Sequence, residues 1–216
     1  MLLSIFYRDD CFKSFFLRAV LREMSWELRE HDVKSPESAE KLVLLKEKVG
    51  SGEAVITPAI QTTEAYSHEI YGILEYLNER NPGSPMYPDH PSARLFTRSV
   101  LYRSIKPIIQ AWDETIETGD AAALLQLFDE QQELLEGIVK SNKTLRGSPV
   151  MPNYSEILFG VFTLAVSRHR QIQSKAIATW LKELMARQSF KDLAPEIDKL
   201  FDSSVKASSP SLTGGH

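Results

Sequence analysis

Cysteine is nearly missing from this chain: its 216 residues hold one, Cys11. That excludes an intrachain disulfide framework and a zinc site built from several thiolates, and it suits a reducing compartment. The five histidines, His31, His68, His90, His169 and His216, show no metal-ligand spacing. No glycine-rich phosphate loop is present, because Gly50-Ser51-Gly52 lacks the Lys and Ser/Thr that should follow. Nor can a Ser-His-Asp arrangement be argued from spacing. Apolar runs are short: the longest, Ile157 to Ser167, falls well below the roughly 20 residues of a membrane helix. Met1 to Phe6 has no basic leader, and charge follows at once from Arg8 to Asp10. We therefore expect no secretory signal, no membrane association and a cytoplasmic location. Excess positive charge is lacking too. With 25 basic and 29 acidic side chains the net charge is −4, which argues against direct nucleic-acid binding.

What is present is ordinary globular material, 43% hydrophobic and 25% charged. Leu3 to Tyr7 reads as a buried strand, and the spacing of Phe15, Phe16, Ala19, Val20 and Met24 predicts a helix from about Ser14 to Met24. Alternation from Trp26 to His31 predicts a second strand. Ser35-Pro36 supplies an N-cap and a first-turn proline for a helix ending near Gly50. Val55 to Ile60, broken by Pro58, is β-rich, and Thr62 to His68 reads as a further strand. Ile70, Ile73, Leu74 and Leu77 mark an amphipathic helix that stops before Asn81.

Beyond it, Pro82, Pro85, Pro88 and Pro91 form a stiff linker, and only helical periodicity follows. Helices are predicted over Leu95 to Glu117, Ala121 to Lys140, Asn153 to Arg170 and Lys175 to Arg187, with a last short one from Leu193 to Phe201. The expected architecture is α+β. A mixed domain spans 1–81, a linker 82–91, an all-helical domain 92–203, and a flexible tail 204–216. Charge divides unevenly as well. Residues 110–139 contain eight acidic side chains and no basic one, whereas 140–216 contain eleven basic and six acidic. Such a stretch is either a solvated acidic helix pair or a face that meets a basic partner.

Cys11 lies between a strand end and a helix start, with Arg8 and Lys13 close in sequence. A helix N-terminus and nearby cations both favour a thiolate, so Cys11 is a candidate nucleophile; the alternative is an inert cysteine in a tight turn. Thr57-Pro58 is a candidate cis peptide that would leave the Thr57 backbone groups open to a peptide-like ligand, unless the proline merely ends a strand. Asn153-Tyr154-Ser155-Glu156 has capping-box spacing and opens an apolar helix, a structural role.

Taken in order, these features resemble the cytosolic glutathione-transferase fold over nearly the whole chain. The resemblance implies a thioredoxin-like first domain with Thr57-Pro58 at the cis-proline position, followed by an all-helical domain. Cys11-Phe12-Lys13-Ser14 stands where cysteine-type members carry Cys-Pro-Phe-Ser, and the Glu-Ser pair that holds the γ-glutamyl end of glutathione is here Glu69-Ile70. The implied cleft comprises Cys11, Ser14, Thr57, Pro58 and Glu69, in degenerate form.

Within this fold the chain resembles the stringent starvation protein A family most. The matching stretches are Leu17 to Glu23, Glu75 to Pro82, Pro85-Met86-Tyr87-Pro88 with Pro91, Ala93 and Arg94, and Arg187 to Phe190. That resemblance implies a non-enzymatic transcription regulator that needs no cofactor and binds RNA polymerase and its sigma factor. Contacts would run through the linker, at Pro82, Pro85 and Tyr87. The family's Pro-His-Pro reads Pro82-Gly83-Ser84 here, which leaves room for a second, related subunit to complete the surface. A homodimer or heterodimer is expected, with Tyr87, Leu95, Phe96, Val100 and Tyr102 as candidates for its surface or for intrachain core. The alternative function is a glutathione-dependent thiol transferase using Cys11, with glutathione as its cofactor.

Overall fold

The computed structural model describes residues 2–24, 26–49, 56–81, 86–141 and 151–207. Gly50 to Gly52, Val55, Pro82 and Pro85 lie outside these residues, as does 208–216.

The first half is built on a four-stranded sheet. Strand β1 (Leu2–Tyr7) leads through α1 (Phe12–Glu23) to β2 (Glu27–Asp32), parallel to β1. A 3-10 turn at Pro36–Ser38, opened by the Ser35 hydroxyl accepting from the Glu37 N–H, enters α2 (Ala39–Val49). Strand β3 (Ala59–Gln61) then runs antiparallel to β1, β4 (Tyr66–Ser67) pairs with β3, and α3 (Ile70–Arg80) follows. The spatial order is β2-β1-β3-β4.

Alternation along β1 assigns the two faces. Leu3 and Ile5 enter the main core with Phe15, Phe16 and Val20 of α1, while Phe6 joins Leu45 and Ala59 in a small core under α2. The strand expected from Thr62 to His68 is reduced to two residues. The Thr62 hydroxyl accepts from the N–H groups of Glu64 and Ala65, a side-chain turn that competes with sheet pairing.

The second half is helical throughout its described residues: α4 (Pro91–Thr118), α5 (Ala122–Lys140), α6 (Tyr154–Val166), α7 (Lys175–Met185) and α8 (Gln188–Ala207). Helix α6 is the hub, with every one of its 13 residues buried. Its capping box forms as the spacing predicts: the Glu156 N–H donates to Asn153 Oδ1 at 3.0 Å, and the Asn153 N–H donates to Glu156 Oε2 at 3.1 Å.

Two expectations need correction. The last helix is 20 residues long, and it takes in 204–207, which had been assigned to the tail. Pro195 lies inside it on the exposed face, where the bond it cannot donate to the Lys191 carbonyl is lost at the surface.

One continuous core joins the halves, running from Leu3 and Ile5 through α1 and α3 to α4, α6 and α8. Polar bonds cross the same boundary. Tyr154 Oη donates to the Leu74 carbonyl at 2.9 Å, and Trp112 Nε1 donates to the Asp10 carbonyl at 2.9 Å. Arg18, 2% exposed, forms two bonds to Glu196 at 2.7 and 2.8 Å and one to Glu30 at 2.8 Å. Arg187 and Ser189 both donate to Glu23. No helix among the described residues is long and apolar enough to cross a membrane.

Candidate functional site

The loop from β1 to α1 sets the position of Cys11. Cys11 is the N-cap residue of α1, in extended backbone at φ −102 and ψ 121, and its carbonyl accepts from the N–H groups of Ser14 (2.9 Å) and Phe15 (3.2 Å). The thiol itself makes no capping bond, and it is half-buried and free. Ser14 has a different part from the one its place in the motif implies. Fully buried, its hydroxyl accepts the Arg8 N–H at 3.2 Å and so ties the loop back to the helix.

Of the two cations expected beside the thiol, Arg8 is already engaged. Arg8 forms a two-pronged pair with Asp10 at 2.8 and 3.0 Å, and Lys34 reaches Asp9 and Asp10, each at 2.7 Å. Burial would push the Asp10 carboxyl up, but hydrogen bonds from Arg8 and Lys34 outweigh it and hold Asp10 below the usual carboxylate range. Two residues that sequence reasoning missed complete the surroundings. Trp112 packs edge-on against Phe12 beneath the loop, while the Asp113 carboxyl is raised by burial and by Glu117 against the opposing pull of Arg8 and Lys13. They come from α4, about a hundred positions away, and no local signal announces them.

Thr57-Pro58 is cis, and both residues are buried. The β1–β3 register pairs Phe6 with Ala59, so Pro58 lies at the end of the sheet from which the loop to Cys11 departs. The cis proline and the cysteine thus belong to one end of the fold. Glu69 does not complete them in the way a peptide-binding cleft requires. It is the N-cap residue of α3 without a side-chain cap bond, its side chain is 79% exposed, and its carboxylate pairs with His68 at 3.2 Å. Ile70, 7% exposed, is part of the main core.

The fit to glutathione is therefore incomplete. Where the resemblance implies a Glu-Ser pair for the γ-glutamyl end, the chain has an exposed Glu69 and a buried aliphatic Ile70. The described residues also contain no group of three or more His, Cys, Asp and Glu side chains able to hold a metal ion.

Comparison with solved structures settles the architecture. An epsilon-class glutathione S-transferase from the housefly Musca domestica superposes with a TM-score of 0.72 at 14% identity, covering 95% of this chain and 98% of that one. The chain has the glutathione-transferase fold. A human theta-class transferase in complex with the glutathione conjugate of 1-menaphthyl sulfate gives 0.68 at 14% identity over 97% and 94% of the two chains. A glutathione S-transferase from Rhodospirillum rubrum F11 gives 0.66 at 15% identity over 88% and 91%. No protein-family model and no curated protein matches the sequence. At such identities a shared glutathione-transferase fold carries no assignment of activity.

The residues expected to meet partners are sorted by burial. Tyr87 is a correction: it is 3% exposed, packs edge-on against Tyr154, donates its backbone N–H to Asn78 Oδ1 and lies under the Arg98 guanidinium. An aromatic ring so enclosed belongs to the core. Val100 is buried as well and Phe96 half-buried, whereas Leu95 (67% exposed) and Tyr102 (60%) stand out from α4. Tyr102 stacks on Tyr71 of α3 with ring centroids 4.0 Å apart.

Proposed function

We propose that the chain is a non-enzymatic binding protein, a transcription regulator of the stringent starvation protein A kind that engages RNA polymerase and its sigma factor through its surface. The observation that carries this reading is Ile70, a sealed aliphatic side chain where a glutathione site needs a hydroxyl, beside a Glu69 turned out to solvent. Losing one charge-assisted bond costs about 1.5–3 kcal/mol, roughly ten- to a hundredfold in affinity. The acidic stretch adds support, because Asp113, Glu114, Glu117, Asp120, Glu130 and Glu133 are exposed on α4, α5 and the turn between them. A basic partner surface would meet that field favourably.

The same reading includes pairing with a second copy or a related subunit across α3 and α4, where Leu95 and Tyr102 are exposed. Retention of RNA polymerase holoenzyme on the immobilised chain at low salt is the direct test. Absence of retention, both by the chain alone and by its mixture with a related subunit, overturns the reading. Monomer mass by light scattering at micromolar concentration removes the dimer.

A second reading is a glutathione-dependent thiol transferase, supported by the uncommitted Cys11 thiol at the start of α1. Calorimetry with reduced glutathione, set beside Cys11→Ser, separates the two. Saturable heat with a Cys11 adduct in the intact mass favours the transferase; neither signal with the wild-type chain eliminates it.

A further inference from the structure

A second pocket, about 440 Å³, opens where β2 meets α2, and none of the thiol-face residues is among its described lining. Arg29 and His31 share one side of β2 by alternation, and α2 with the turn before it contributes Ser38 and Lys41. Two of these side chains are deeply covered yet unused. His31 is 8% exposed and Ser38 3%, both line the pocket, and neither side chain makes a hydrogen bond among the described residues. The imidazole rests on Phe6 with ring centroids 5.0 Å apart.

The charges around it are unequal in freedom. Glu30 is taken up by Arg18 at 2.8 Å and Arg22 at 2.7 Å, Asp32 accepts the Lys34 N–H, and Glu37 lies exposed at the rim. Arg29 and Lys41 form no ion pair among the described residues, and Tyr7 of β1 adds a hydroxyl to the lining. Buried hydroxyl and imidazole donors with two unpaired cations on one side describe a receptor for a compact, multiply charged acceptor.

We propose that this pocket binds the phosphate group of a small molecule or of free inorganic phosphate, with Arg29 and Lys41 supplying charge and Ser38 and His31 hydrogen bonds. A phosphate has three terminal oxygens, enough for donors arriving from both β2 and α2, and a guanidinium matches two of them at once. Burial, then Lys41 and Arg29, hold the His31 imidazole below its ordinary value of 6.5. A dianion seated beside it reverses the charge it faces and draws the proton back. Bound phosphate therefore raises the pH at which His31 takes up its proton. The site is independent of the partner surface proposed above.

The test titrates the full chain with inorganic phosphate and, separately, glycerol 3-phosphate, at ionic strength held constant with chloride. The His31 ring signals are followed by NMR. The expected result is a saturable shift, an upward move of the His31 titration midpoint, and about tenfold weaker binding in both Arg29→Gln and Lys41→Gln. Both substitutions are at exposed positions, and circular dichroism confirms that the variants fold. Tighter binding of the monoester identifies a phosphorylated metabolite as the ligand, and equal affinity identifies free phosphate. A His31 response no larger than chloride alone produces, or wild-type phosphate affinity in both variants, overturns the site.

Discussion

Along its flank, α1 is bound to the helical half by charge. Arg18 reaches Glu196, Arg22 and Arg18 share Glu30, and Glu23 receives Arg187 and Ser189. At its N-cap the same helix presents a thiol that makes no capping bond, in a loop where Arg8 is already paired with Asp10. The flank pairs Arg18 with Glu196 and Arg187 with Glu23 across distant chain segments, whereas the helix start is held by Ser14 and Trp112 and by the Arg8 and Lys34 bonds to Asp10. One helix thus carries both the strongest joint of the molecule and a site open to change. The thiol end can change while the seam stays fixed, because the two depend on different residues.

The largest effect expected is at the seam. Arg18→Ala leaves Glu196 alone and Glu30 with one partner, and breaking a buried pair of this kind costs about 3 kcal/mol, the low end of its range because both carboxylates reach solvent. Urea unfolding measures it; a loss below about 1 kcal/mol would place the pair with ordinary surface bridges. Gly160→Ala probes the packing behind α8. An added methyl would stand 2.7 Å from both Leu184 Cδ1 and Phe190 Cζ, side chains sealed on every side, so overpacking by about 2 kcal/mol is expected. Unchanged stability would mean that α7 and α8 can back away from α6. Asn153→Ala removes the acceptor of the α6 capping box and should cost about 1 kcal/mol by the same measurement.

A pH series sharpens the contrast from another side. Burial holds His169, edge-on against Phe201 of α8, below its ordinary value of 6.5. The unfolded chain takes up that proton first, so the stability contribution is full above 6.5 and is lost as pH falls toward the folded-state value. His169→Phe keeps the ring and should flatten the decline below pH 6.5; an identical slope in both proteins would contradict it. Cys11→Ser, at the open start of α1, should change stability by less than about 0.5 kcal/mol, and a larger loss would show that the thiol is part of the joint after all.

Much of this was legible in the chain itself. The periodicity of Phe15, Ala19 and Val20, the Ser35-Pro36 start and the Asn153–Glu156 box are local, and each appears where its spacing predicts. The cis peptide at Thr57-Pro58 was legible for the same reason. What escaped was non-local or locally contradictory. Trp112 and Asp113 reach the thiol loop from α4, and Arg18 meets Glu196 across 178 positions, with nothing in either neighbourhood to announce the encounter. The last helix was legible from Leu193 to Phe201 but runs from Gln188 to Ala207, with Pro195 tolerated inside it. Tyr87 reads as a linker contact because proline surrounds it, yet Tyr154 and Asn78 draw it inward.

Trp112 also makes the molecule its own reporter. Fully buried, with its indole N–H on the Asp10 carbonyl and Phe12, Phe15 and Phe201 around it, it takes its neighbours from both halves of the chain. Any event that parts the halves wets that ring and reddens its emission against the background of half-buried Trp26 and buried Trp180. The colour of the fluorescence therefore reports undocking without a label.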